Sequence, residues 1–234
     1  MKSEEGKLKL HLGCGRLYLK GYVNIDYPQE SHTTIKVRAD KYEDLRKLDY
    51  PEESVSEIRL HHVFEHFSRQ WAYKLLSNWH KWLEVGGILV VETPDFDECV
   101  HRYVHADLAY RLKLLRHIFG SHEAHWAYHL DGWGEEKFRF VLQKFGFENL
   151  EFKKILAYHS NIRIPKVGGL INRTPFEALK DATGDRLPNI LVSARKSDRI
   201  VNYAETIKEI LAMSLAGGRE DAMFNAWLKD IGLV

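Results

Sequence analysis

The chain has 234 residues, 44% of them apolar, which suits one α/β core and is short for two. Lys and Arg number 34 against 33 Asp and Glu, a formal charge of +1, so no clustered basic face is advertised and no nucleic-acid partner is expected. No run of about 18 apolar residues occurs, so no membrane span is expected. The start, Met1 to Gly6, is polar and acidic without the apolar stretch of a leader peptide, and a cytoplasmic address is expected. The only cysteines are Cys14 and Cys99, and Cys14 sits in a glycine-rich turn, so the two read as reduced thiols rather than a bridge.

Short apolar runs alternate with helical patterns through the first two-thirds of the chain. Leu8 to Leu12, Tyr22 to Asp26, Ile35 to Arg38 and Glu57 to His61 read as strands. Gly87 to Glu92 is the most apolar and reads as a buried central strand. Between the last two, Trp71, Ala72, Leu75, Leu76, Trp79, Trp82 and Leu83 recur at helical spacing, and Gly86-Gly87 is expected to stop that helix. Such an alternation implies a mostly parallel, Rossmann-like α/β sheet flanked by helices. A helical stretch follows from about Phe96 to Phe119, then a histidine-rich segment from Ser121 to Trp133, then a helix over Glu135 to Phe145. Leu150 to Tyr158 and Asn189 to Ala194 read as late strands. One domain over 1–234 is expected, with an insertion at about 159–188 and C-terminal helices at about 200–231.

The first strand ends in Gly13-Cys14-Gly15, where glycines let a ligand approach the backbone beyond the carboxyl ends of the strands. A dinucleotide fingerprint would need a further glycine at position 18, which is Tyr18, and this counts against NAD or FAD. Asp26 at the next strand end can accept hydrogen bonds from both hydroxyls of a ribose. Asp44-Leu45 and then His61-His62-Val63-Phe64-Glu65-His66 complete the set.

In this order, L-H-L-G-C-G, N-I-D, D-L-x-K-x-x-x-P-x-x-S-V, H-V-x-E-H-F, L-x-x-G-G-I-L and P-D resemble class I S-adenosylmethionine-dependent methyltransferases of the methyltransferase type 11 kind, over about residues 7 to 150. Relatives with the short N-I-D spacing lie among genes for surface polysaccharide assembly. The resemblance implies that Gly13, Cys14 and Gly15 cradle the methionine part of S-adenosylmethionine, and that Asp26 holds the ribose. Asp44 and Leu45 would flank the adenine, and His61 would line the methionine side. Two features depart from the wider superfamily: His11 stands where an acid is common, and Arg16-Leu17 replaces a third glycine. Only six residues separate Gly15 from Tyr22, so the first helix must be a stub.

The resemblance further implies O-methylation of a sugar or glycan-precursor hydroxyl, with a non-carbohydrate small molecule as the alternative acceptor. A non-catalytic methyltransferase-like subunit is the rival from another class, and the C-terminal helices, with Met223, Phe224, Trp227 and Leu228, could serve an oligomer. A hydroxyl acceptor benefits from a base whose pKa lies near neutrality, which points to histidine. Of the 13 histidines, His62, His66, His122, His125 and His129 cluster, with Glu65 or Asp95 to orient them, and His62, His66, His122 and His129 are the catalytic candidates. His62, Glu65 and His66 fall at i, i+3 and i+4, a spacing that could offer a divalent ion one face of a helical turn. No metal is expected, since the same residues can close the cofactor pocket, and Ser121 to His125 lacks the H-E-x-x-H spacing.

Overall fold

Leucines alternate with polar residues in Leu8-Lys9-Leu10-His11-Leu12, and in the computed structural model, which describes residues 7–31, 36–157 and 186–234, this segment is β1 (Leu8–Leu12). It lies between β2 (Val23–Asp26) and β4 (Val55–His61), parallel to both. β3 (Lys41–Tyr42) pairs with Ile25 and Asp26 of β2, and β5 (Leu83–Pro94) runs beside β4, again parallel. β7 (Leu187–Lys196) is antiparallel to β5 and to β6 (Phe147–Ala157). The seven strands lie in the order β3-β2-β1-β4-β5-β7-β6.

Leu10, Leu12, Ile58 and Leu60 are fully buried, on the face that receives α1 (Arg69–Trp82). α1 presents Ala72, Leu75, Leu76 and Trp79 to that core, the stripe its spacing predicts. α4 (Glu135–Lys144), α5 (Tyr203–Ala212) and α6 (Asp221–Asp230) join the same core through Phe138, Val141, Ile207, Ile210 and Leu228. α6 thus buries Leu228 against its own chain, and Trp227 lies under Arg69 of α1. α2 (Phe96–His105) and α3 (Leu108–Phe119) form a separate small cluster around Cys99, Leu114 and Leu187.

Four local expectations shift. The third strand is not at Ile35 to Arg38: Lys36 to Arg38 have no regular structure, and Ile35 lies outside the described residues. Instead the Asp40 carboxylate accepts the backbone and side-chain N–H groups of Asn24, which brings Lys41 and Tyr42 alongside β2. α1 ends at Trp82, before the glycines, and Gly86 (φ +80°) belongs to a bulge that shifts the register between Leu83 and Ile88. The stretch from Phe96 to Phe119 is two helices, because Asp107 caps α3 by accepting the Tyr110 N–H at 2.8 Å. Residues 13–22 hold only turns, without even a stub of helix. The expected insertion at 159–188 lies, apart from residues 186–188, outside the described residues.

An aromatic cluster fixes the turn after β4 against the histidine-rich segment. Phe64 packs tilted against Trp133 at 4.6 Å and against Trp79 at 5.5 Å, and Trp133 stacks on Phe138 at 4.8 Å. Phe64 and Trp133 are buried, so the start of that turn and the end of that segment share one anchor. Truncating either ring to alanine costs about 3–5 kcal/mol. No helix among the described residues is long and apolar enough to cross a membrane.

Candidate active site

The turn after β1 closes on the end of β2. The N–H groups of Gly13 and Cys14 both donate to the Ile25 carbonyl, at 2.8 and 3.1 Å. Gly13 has φ +65°, and a methyl group there would overlap the Val63 side chain, so glycine is required twice over. Asp26 Oδ2 accepts the Gly15 N–H at 2.6 Å, and Oδ1 accepts that of Tyr27 at 2.7 Å. Cys14 is buried, and burial, reinforced by Asp26, pushes its thiol up to about 12, so it stays neutral. Asp44 caps a short 3-10 turn over Leu45–Lys47 and takes the Arg46 guanidinium on both oxygens. Burial works against that carboxylate, but Arg46 holds it below the usual range. Leu45 points into the main core.

A chain of buried polar groups runs across the ends of β1, β4 and β5. His11 donates from Nδ1 to Asn24 Oδ1 at 3.1 Å, and burial holds its pKa at about 4, which keeps it neutral. His61 stands edge-on to His11 at 5.9 Å, and its Nδ1 lies 3.0 Å from Glu92 Oε2. Its Nε2 is buried without a partner among the described residues. Glu92 Oε1 accepts from the Asn189 amide at 3.2 Å and lies 3.6 Å from His62 Nε2. His62 occupies the left-handed region (φ +54°) and places Nδ1 3.2 Å from Glu65 Oε1. Burial would keep His62 neutral, but its hydrogen bonds to Glu65 and Glu92 outweigh that and raise its pKa to about 10. Glu65 is pulled down to about 2, since His62 more than offsets the burial of the carboxylate.

Glu65 is the hub of a second group. His129 Nε2 lies 3.9 Å from Glu65 Oε1, and burial lowers the His129 pKa. His66 donates from Nδ1 to the Tyr128 carbonyl at 3.0 Å and stands edge-on to His129 at 4.7 Å. The segment carrying Tyr128 and His129 is tied to Glu65 by the Leu130 N–H, at 2.8 Å. It reaches across to the connection after β2, where Trp126 Nε1–H donates to the Ser31 carbonyl at 2.6 Å.

The structure thus gathers Gly13, Cys14, Gly15, Asp26, Asp44 and His61 at the carboxyl ends of β1 to β4, and draws His62, His66 and His129 around Glu65. His122 faces away from that group: it is exposed, stacks on Tyr128 at 4.4 Å and holds the Phe119 carbonyl. His125 is exposed. Asp95 is not an orienter of these histidines, since it caps α2 and takes the Lys154 ammonium at 2.6 Å. Sequence reasoning missed Asn24, Asp40, Glu92 and Asn189. Asn24, Glu92 and Asn189 are signalled only as polar residues inside otherwise apolar strands, and Asp40, just before β3, carries no such signal.

No protein-family model and no curated protein matches the chain. Solved structures match it in fold. A SAM-dependent methyltransferase from Archaeoglobus fulgidus is 14% identical, with a TM-score of 0.50 over 81% of this chain and 86% of its own. A SAM-dependent methyltransferase from Methanosarcina mazei is 14% identical, with a TM-score of 0.50 over 83% and 94%. The fold is the class I methyltransferase fold. In an open α/β sheet of this kind ligands bind beyond the carboxyl ends of the strands, where Gly13 to Gly15, Asp26 and His61 lie.

Proposed function

We propose that this chain is an S-adenosylmethionine-dependent methyltransferase acting on a hydroxyl of a sugar or glycan precursor. One observation carries the cofactor: a glycine turn that a Cβ would fill closes onto the buried carboxylate of Asp26. Such a turn admits a ligand to the backbone, and such an acid can take a ribose diol. Gly13, Cys14 and Gly15 would hold the methionine part, Asp26 the ribose and Asp44 the adenine, while Leu45, turned into the core, would support that turn from beneath. His61, with its free Nε2, would face the methionine side. When bound, the cofactor supplies a methyl made electrophilic by its sulfonium.

The chain must then place the acceptor and relieve its hydroxyl of a proton. His62 has both ring nitrogens engaged, Nδ1 by Glu65 and Nε2 by Asn189 beside Glu92, and would position these residues. His66 and His129 remain as proton acceptors. The sugar class is supported by the resemblance in motif order alone, which is an analogy.

Calorimetry and thermal melting test the cofactor. S-adenosylmethionine and S-adenosylhomocysteine should bind and raise Tm while NAD does not, adding about 2.7 kcal/mol of stability at 100 times Kd. Absence of binding at about millimolar ligand, where Kd corresponds to only about −4 kcal/mol, overturns the assignment. Mass spectrometry of candidate sugars incubated with methyl-labelled cofactor tests the acceptor.

A further inference from the structure

We infer that Glu65, His66 and His129 form a site for one divalent transition-metal ion. One ligand atom from each lies within 4.8 Å of the other two. The residues come from two segments that the core fixes before any ion arrives. Phe64, beside Glu65, packs against Trp133, and the Leu130 N–H, beside His129, donates to the Glu65 carbonyl. Only side-chain adjustment is needed to contract the three ligands onto an ion.

Independent features of the same residues point to a cation. Glu65 is 2% exposed, yet its Oε2 has no hydrogen-bond partner among the described residues, and neither has His129 Nδ1. Buried polar atoms of this kind are costly unless something satisfies them. His66 gives its Nδ1–H to the Tyr128 carbonyl, which leaves Nε2 as the ligand atom. That is the outer hydrogen bond that usually orients a metal-bound imidazole. Two imidazoles and one carboxylate favour zinc, cobalt or iron over magnesium or calcium. Three protein ligands also leave a coordination position for water or an oxygen of the acceptor.

These three ligands differ from the trio that the sequence spacing offers. His62 does not share a helical face with Glu65 and His66, because Phe64–His66 is a single 3-10 turn and His62 precedes it in the left-handed region. Its two ring nitrogens face Glu65, Glu92 and Asn189, and His129 takes the third place.

Metal binding is read on the protein alone, apart from methyl transfer. The full chain, stripped with a chelator and dialysed, is titrated with CoCl2 and followed by its visible d–d absorption. One equivalent should bind, and ZnCl2 should displace it. Glu65→Gln, His66→Ala and His129→Ala should each weaken binding about tenfold or more, while His101→Ala on the exposed face of α2 binds as wild type. Circular dichroism checks each fold, and His66, only partly buried, keeps the test valid if Glu65→Gln unfolds. Wild-type protein that binds no cobalt, or His66→Ala and His129→Ala that both bind it normally, overturns the site. S-adenosylhomocysteine titrated into the same samples reads the cofactor assignment separately.

Discussion

The carboxylate of Asp26 meets the backbone N–H of Gly15 at 2.6 Å, so the end of β2 holds the turn that ends β1. Asp26→Ala is therefore expected to do two things. It removes the acid assigned to the ribose, which should weaken S-adenosylhomocysteine binding by about 1.5–3 kcal/mol. It also strips the Gly15 and Tyr27 N–H groups of their acceptor, at a stability cost of about 1–3 kcal/mol. Asp26→Asn preserves shape but cannot accept at both oxygens. Calorimetric titration and thermal melting measure the two effects, and wild-type affinity in Asp26→Ala would reduce Asp26 to a turn residue.

Gly13→Ala tests the cradle. A left-handed backbone costs a non-glycine residue about 1–2 kcal/mol, and the new methyl group must also displace Val63. The variant should melt lower and bind cofactor more weakly. Adding Val63→Ala should recover the steric part and leave the backbone part. If the double variant melts no higher than Gly13→Ala, Val63 is not the obstacle.

Most of the sheet could be read from alternation. Leucines opposite Lys9 and His11 marked β1, and the run from Ile88 to Val91 marked β5. The third strand could not, because its two residues are exposed and carry no apolar signal: Lys41 and Tyr42 pair only because Asp40 fastens to Asn24. The glycine turn and Asp26 were visible because close backbone approach and a strand-end acid are local features. Sequence reasoning grouped His129 with Glu65, but not the means: 64 positions separate them, and the Phe64–Trp133 contact with the Leu130 N–H on the Glu65 carbonyl brings them together. His62 shows the same limit, because its charge depends on Glu92, which a neighbouring strand supplies.

Stability should decline on both sides of about pH 6.5. Burial holds His11 and His80 neutral, each lowered from the ordinary 6.5 to about 4. Below pH 6.5 the unfolded chain takes up protons that these two refuse in the folded state. Their contribution is complete above 6.5 and is lost as pH falls through about 4, at roughly 3 kcal/mol each. His62 has the opposite sign. Its folded pKa of about 10 contributes stability that is present below pH 6.5 and lost as pH rises through 10. Melting curves across this range should show both limbs. His80→Gln should flatten the acid limb and His62→Gln the alkaline one; limbs unchanged in these variants would remove both residues from the account.

The histidines decide how the acceptor loses its proton. On a true acceptor, His62→Gln, His66→Ala, His122→Ala and His129→Ala can be compared one by one. The residue that takes the proton should lower turnover by about 10²–10⁴-fold when removed, with S-adenosylhomocysteine affinity nearly unchanged, since the proposed cofactor contacts are at Gly13 to Gly15 and Asp26. Where no ion occupies the Glu65, His66 and His129 site, His129 is the strongest candidate: it is mostly buried, its pKa is lowered, and Glu65 lies 3.9 Å away. As a base it must be unprotonated, so kcat/KM should rise with pH through its pKa, and that limb should vanish in His129→Ala. His62→Gln should also slow the reaction, by loosening Glu65, which His62 Nδ1 contacts at 3.2 Å, but should keep the limb. A His129 that serves as a metal ligand instead gives turnover that a chelator abolishes and a divalent ion restores. If all four variants turn over at near the wild-type rate and a chelator has no effect, neither role exists and positioning alone drives the transfer.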